Sequence, residues 1–231
     1  MRTTLQRAVA VEDKELRRHS ILDAAESLFL AHPDRMASVA EVAAAARLAK
    51  GTVYLYFPAK EEMLLALHER HVEAFFAELF ALLRGAGPLG FGEIFEVARR
   101  LIVRRPGYLD LTARCLGLMD REIPVERALE FKVRVGQLLV QSGSELERHF
   151  PRLAPGDGVG LLCNSYGLMV GLWQLMHPNE RFGAAMLRPE MRMFHRDFEQ
   201  EVERAVLALW TGVIQAAEAE PRKASSRRKT R

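Results

Sequence analysis

The stretch "AKGTVYLYFPAKEEML", residues 49–64, decides the fold. It falls between two windows with clear helical periodicity, yet its own composition suits a helix poorly. Gly51 costs about 1 kcal/mol relative to Ala in a helix interior, and the β-branched Thr52 and Val53 add smaller penalties. Tyr54 and Tyr56 lie two apart and so cannot share one helical face. Before it, Ser38 with Glu41 three residues on forms the signature of a capping box, which starts a short helix over 39–46. A second short helix covers 49–56 and is stopped by Pro58. Lys60 then opens a long one, with Leu64, Leu67, His71, Phe75, Leu79 and Leu82 on one face until the glycines and proline of 85–88 end it. Further upstream, Ile21, Ala25, Leu28 and Phe29 make an apolar stripe that ends near His32-Pro33.

Three helices in about fifty residues, two of them short and closely joined, fit a helix-turn-helix. In that motif the second short helix enters the major groove of DNA, so its solvent face is a reading surface. Gly51 permits close approach, Thr52 and Tyr54 present hydroxyls, Lys50 a charge, and Val53 an apolar contact for a thymine methyl. Tyr56, and Lys60 with the first amides of the next helix, suit phosphates. Taken singly, each tyrosine reads equally as a partly buried aromatic and Lys50 as a surface lysine. The constellation favours DNA.

The segment resembles the TetR family of transcriptional regulators. The matching residues are "ILDAAESLF", "SVAEVAAAA" and "GTVYLYFPAKEEML" with its Tyr54, Phe57 and Lys60, and the likeness spans roughly residues 14–67. By that resemblance Lys50, Gly51, Thr52 and Tyr54 face bases or nearby backbone, and Ser38, Tyr56 and Lys60 lie at phosphates. Arg17 or Arg18, at the start of the first helix, reaches the DNA backbone, and Phe57 packs inward. This chain departs from the pattern at two positions. Arg47 stands where the turn usually has Gly, and Ala49 where a Ser or Thr usually caps the recognition helix. A non-Gly residue at positive φ costs on the order of 1 kcal/mol, which Arg47 would offset by contacting phosphate.

The rest of the chain adds helices over 91–104, 108–119, 124–150, 157–177 and 190–218, with Pro106, Pro124, Pro151, Pro155, Pro178 and Pro189 at their boundaries. The expected architecture is all-α with about nine helices. An N-terminal helix-turn-helix DNA-binding domain occupies 1–60, a helical ligand-binding and dimerisation domain 61–220, and a basic, disordered tail 221–231. Along 157–177, Gly160, Asn164, Gly167, Gly171 and Gln174 form a small or polar stripe. Along 190–218, Phe194, Phe198, Val202, Ala205, Leu209 and Val213 share a face. Two such helices from each of two subunits make a four-helix dimer interface, the arrangement a two-fold DNA reader needs; the alternative is that both stripes pack within one subunit. Candidate pocket residues are the bulky Phe95, Cys115, Met119, Phe131, Tyr166, Met169 and Trp173, with Arg114, Asn164 and Gln174 available to orient a polar group. Few ionisable residues fall inside, so the expected effector is a small apolar or amphipathic molecule.

Charge and cysteine usage narrow the function further. The chain of 231 residues carries a net +3, but 221–231 holds six basic residues and no acid. The 33 basic residues less those six leave 27 against 30 acidic, so the body is slightly negative. DNA binding must therefore come from local geometry. The two cysteines are isolated, the N-terminus lacks a secretory signal pattern, and no apolar run approaches the ~18 residues of a membrane span. These features point to a cytoplasmic protein with no membrane partner. "HERH", His68 to His71, misses the four-residue histidine spacing of a zinc-protease helix. No nucleophile elbow, phosphate loop or Cys/His cluster appears, so neither enzyme, metal nor cofactor is expected. The reading is a DNA-binding transcriptional repressor that leaves a palindromic operator when an effector binds. The alternative is a helix-turn-helix protein that binds DNA constitutively or answers to a protein partner.

Overall fold

A computed structural model describes residues 2–33, 35–178 and 180–219; the basic tail lies outside them. Nine α-helices make up the described chain: α1 (Arg2–Ala31), α2 (Val39–Ala45), α3 (Lys50–Tyr56), α4 (Lys60–Leu83), α5 (Phe91–Ala98), α6 (Tyr108–Met119), α7 (Val125–His149), α8 (Asp157–Met176) and α9 (Phe198–Ala219). No strand occurs among the described residues. The chain divides into two compact units. One holds residues up to Ala74 with Leu101–Lys132, the other Phe75–Arg100 with the residues from Val133 on.

The first unit contains α1, α2, α3, the first part of α4, and α6. Ile21, Leu22, Ala25 and Phe29 of α1 are buried with Val39, Val42 and Ala43 of α2 and Val53 of α3. From Met63 to Glu69, α4 is buried on every side, as a helix through the middle of a core must be. Gly107, at φ 70, passes so close to Phe29 and Leu30 that a Cβ there would lie 2.7 Å from the Leu30 side chain. Arg114 binds the Pro33 carbonyl and lies over the Phe29 ring, so it ties down the end of α1 instead of orienting a ligand.

In the second unit α8 packs along α9. Trp210 is buried between the edges of Phe91 and Phe150, and its indole N–H donates to Ser165 Oγ at 2.9 Å, the partner a buried indole needs. Gly143 and Gly158 meet backbone to backbone where α7 crosses α8. A Cβ on Gly160, Gly167 or Gly171 would meet nothing within 4 Å, so that glycine stripe faces away from the subunit.

Four expectations change here. The final helix begins at Phe198, where the Asp197 carboxylate accepts from Gln200 N at 2.8 Å; Pro189 instead heads a short 3-10 segment, Pro189–Phe194, which takes Phe194 off the stripe. The helix starting at Phe91 turns π-helical over Arg99–Val103, where the Arg99 guanidinium is drawn to Glu96, Glu199 and Glu203. Val202 is fully buried against the subunit's own core and is no dimer residue. Finally, α8 is by length and mean hydropathy apolar enough to span a membrane, though its glycines, Asn164 and Ser165 interrupt any continuous apolar run.

Candidate nucleic-acid interface

The local structure around α3 begins with the capping box of α2. Glu41 N donates to Ser38 Oγ at 3.3 Å, and Ser38 N donates to Glu41 Oε2 at 2.8 Å. Arg35 grips the same carboxylate at 2.7 Å. The Arg35 hydrogen bond, followed by those from Ser38, lowers the Glu41 carboxyl to about 2. The Ser38 residue itself stays exposed.

The turn from α2 to α3 is a complete Schellman motif. Arg47 N donates to Ala44 O at 3.1 Å and Leu48 N to Ala43 O at 2.9 Å, which satisfies two carbonyls at the helix end. Arg47 takes the left-handed conformation at φ 57, the role a glycine ordinarily fills. The turn has the regular shape, and the side chain stands exposed at its apex. Ala49 follows as N-cap of α3 with extended backbone and no side-chain cap; its carbonyl accepts from Thr52 N at 2.9 Å.

Helix α3 is oriented by two inward residues, Val53 at 0% exposure and Phe57 at 4%. Arg18 lies over the Phe57 ring, 5.5 Å from its centroid. Lys50, Gly51 and Tyr54 are exposed, Thr52 and Tyr56 half-buried. Lys50 Nζ sits 5.8 Å from the centroid of the Tyr54 ring one turn on, so the two form a paired outward group. A Cβ on Gly51 would meet nothing within 4 Å, so packing inside the subunit does not require glycine there. Lys60, at the start of α4, is exposed, with Glu61 at a loose 3.8 Å.

Two expectations are corrected. Val53 is core and unavailable to a thymine methyl; Leu55, 83% exposed, is the apolar side chain that α3 presents instead. Alternation along so short a helix could not separate them, because the choice is made by what packs beneath. Arg17 is exposed but lies deep within α1, which begins at Arg2, so it is remote from that helix's free amides.

Below this face, α1 is bound to α4 and to the segment before α6 by a charged cluster. Glu26 receives Arg70 at 2.5 Å, His71 Nε2 at 2.9 Å and Arg105 at 3.1 Å, and Arg70 also reaches Asp23 at 2.5 Å. The His71 hydrogen bond, outweighing burial, lowers Glu26 to about 2. Sequence reading missed this cluster because its partners lie 44 to 79 residues apart.

The pocket candidates divide between the units. Cys115, Met119 and Phe131 belong to the first, Phe95, Tyr166, Met169 and Trp173 to the second. Cys115 Sγ donates to Leu64 O at 3.7 Å, and the Phe131 ring lies 5.6 Å from that of His68, so both border α4. Phe95 stacks on Phe91 and Met169 is core, while Trp173 stacks on His177 at 3.5 Å and meets the edge of Phe198. Tyr166 and Met119 are half-buried. Both histidines of HERH are buried, and among the described residues no His, Cys, Asp and Glu gather as metal ligands would.

An all-α chain with a capped helix-turn-helix and an outward, partly basic recognition face defines a DNA-binding regulator. A family model described as "Bacterial regulatory proteins, tetR family" matches residues 21–67, and one described as "Tetracyclin repressor-like, C-terminal domain" matches 69–217. The chain belongs to the TetR family of transcriptional regulators and is not an enzyme. A solved structure of a TetR-family transcriptional regulator from Mesorhizobium loti shares the fold, with TM-score 0.52 and 21% identity over 84% of this chain and 96% of that one. No curated protein matches the chain.

Proposed function

We propose that the protein is a cytoplasmic homodimeric repressor whose paired α3 helices read a palindromic operator and which leaves it on binding a small apolar or amphipathic effector. The observation that supports this best is the division of α3. Val53 and Phe57 anchor it while Lys50, Gly51, Tyr54 and Leu55 are left outward. In this reading Lys50, Gly51, Thr52, Tyr54 and Leu55 face base edges, and Ser38, Arg47, Tyr56 and Lys60 hold phosphates. The outward stripe of Gly160, Asn164, Gly167 and Gly171 on α8, with Phe198 and Leu209 of α9 at its side, supplies the dimer face. Open glycine positions allow a partner helix to approach closely.

Effector binding acts through α4, which belongs to both units. A shift of α4 is passed to α1 through the Glu26 cluster and alters the separation of the two recognition helices. An effector moves this equilibrium only by its preference for the released form. The test is a thermal-shift screen of lipophilic compounds read beside operator binding. Compounds that stabilise the protein and release operator support the reading. Compounds that bind and leave operator affinity unchanged argue for constitutive binding.

A further inference from the structure

His68, one turn beyond Leu64 on α4, is 3% exposed, and its Nδ1 is buried with no hydrogen-bond partner among the described residues. Its ring meets Tyr108 edge-on at 5.8 Å and Phe131 at 5.6 Å. His71, a turn further, stacks on the same Tyr108 at 5.9 Å, and its Nδ1 is also buried without a partner while Nε2 serves Glu26. A buried polar atom left unpaired costs about 1–3 kcal/mol. Two of them around one tyrosine mark a place built to meet a polar group from elsewhere.

The surroundings specify that group. The nearby charges are matched: Arg127 pairs with Glu69 at 2.6 Å, and Arg70, Arg105 and His71 serve Glu26. Burial, reinforced by His71, lowers His68 to about 4, so its ring is neutral at physiological pH and offers one donor and one acceptor. Burial likewise pushes the Cys115 thiol up to about 12. An ionised carboxylate would find Arg70, Arg105 and Arg127 already engaged, whereas an uncharged hydroxyl or carbonyl would find a partner. The rings of Tyr108 and Phe131 supply the apolar walls.

We infer that His68 is the polar anchor of the effector site, taking an uncharged hydroxyl or carbonyl carried on an aromatic or otherwise apolar body between Tyr108 and Phe131. This rests on the ligand-responsive reading above and narrows its chemistry.

The test titrates the full-length protein at neutral pH with 4-propylphenol, propylbenzene and 4-propylbenzoate, reading affinity by calorimetry and the His68 ring nitrogens by NMR in ¹⁵N-histidine-labelled protein. The expected result is that 4-propylphenol binds about tenfold more tightly than either of the others and moves the His68 resonances. His68→Phe should bind 4-propylphenol and propylbenzene alike, and His68→Gln, which keeps a donor and an acceptor, should restore part of the preference. Equal affinities, a preference for the benzoate, no binding by any of the three, or His68 resonances that stay in place would overturn it. Unmoved resonances would assign the nitrogen to a structural water. Operator release by a broad lipophile panel is read separately. Release without any change at His68 sinks this site and leaves the inducer reading intact.

Discussion

Val53 and Leu55, two residues apart on α3, point to opposite sides: the first is at 0% exposure and the second at 83%. Val53→Ala should lower stability by about 1–3 kcal/mol, because it opens a cavity beneath the recognition helix. Leu55→Ala should leave the melting temperature unchanged and weaken operator binding, with the largest loss at sites carrying a thymine opposite it. Thermal denaturation alongside binding to a base-substituted operator series checks both.

Arg47 holds a left-handed conformation for which glycine carries no penalty. Arg47→Gly should therefore gain on the order of 1 kcal/mol of stability. It should also reduce the salt slope of DNA binding by about one. A stabilised variant with an unaltered slope would remove Arg47 from the phosphate contacts. Gly51→Ala should likewise raise helix stability by up to about 1 kcal/mol, since space surrounds it, while weakening DNA binding.

Two groups, the buried His68 and the half-buried Glu26, contribute to the acid sensitivity. His68 has its folded value lowered to about 4, so the unfolded chain takes up its proton first. The stability this gives is complete above about pH 6.5 and drains away as pH falls towards 4. Glu26, lowered to about 2, contributes stability that is complete above about pH 4.5 and is lost as pH falls through 2. Urea denaturation across pH 7 to 3 should show two successive losses. His68→Phe should flatten the upper one, and Glu26→Gln the lower.

The outward glycine stripe gives a prediction about assembly. Gly167→Arg fits the isolated subunit, where no atom crowds the site, and should convert dimer to folded monomer. Sedimentation equilibrium with circular dichroism reads this. A Gly167→Arg dimer as tight as the parent would place the interface elsewhere.

Local signals in the sequence carried over well. Ser38 and Glu41 at capping spacing marked the start of α2, and Pro106 marked the boundary before α6, because each boundary is decided by a few neighbouring residues. Which side of α3 faces inward was not legible: fewer than two turns carry little periodicity, and packing against α2 makes the choice. Pro189 signalled a helix start, but the turn it opened stayed short and Asp197 began α9 instead. The Glu26 cluster lay beyond reach because it joins residues far apart in the chain.

Selection of bound sequences from a random DNA pool tests the central claim most directly. The account predicts enrichment of a palindrome with half-sites centred about 34 Å apart, or a multiple of that. It also predicts that Lys50→Ala relaxes base preference within each half-site, while Lys60→Ala weakens binding to all sequences alike. Recovery of no common sequence, or of a site unaffected by Lys50→Ala, Tyr54→Ala and Leu55→Ala together, would contradict α3 as the reading surface.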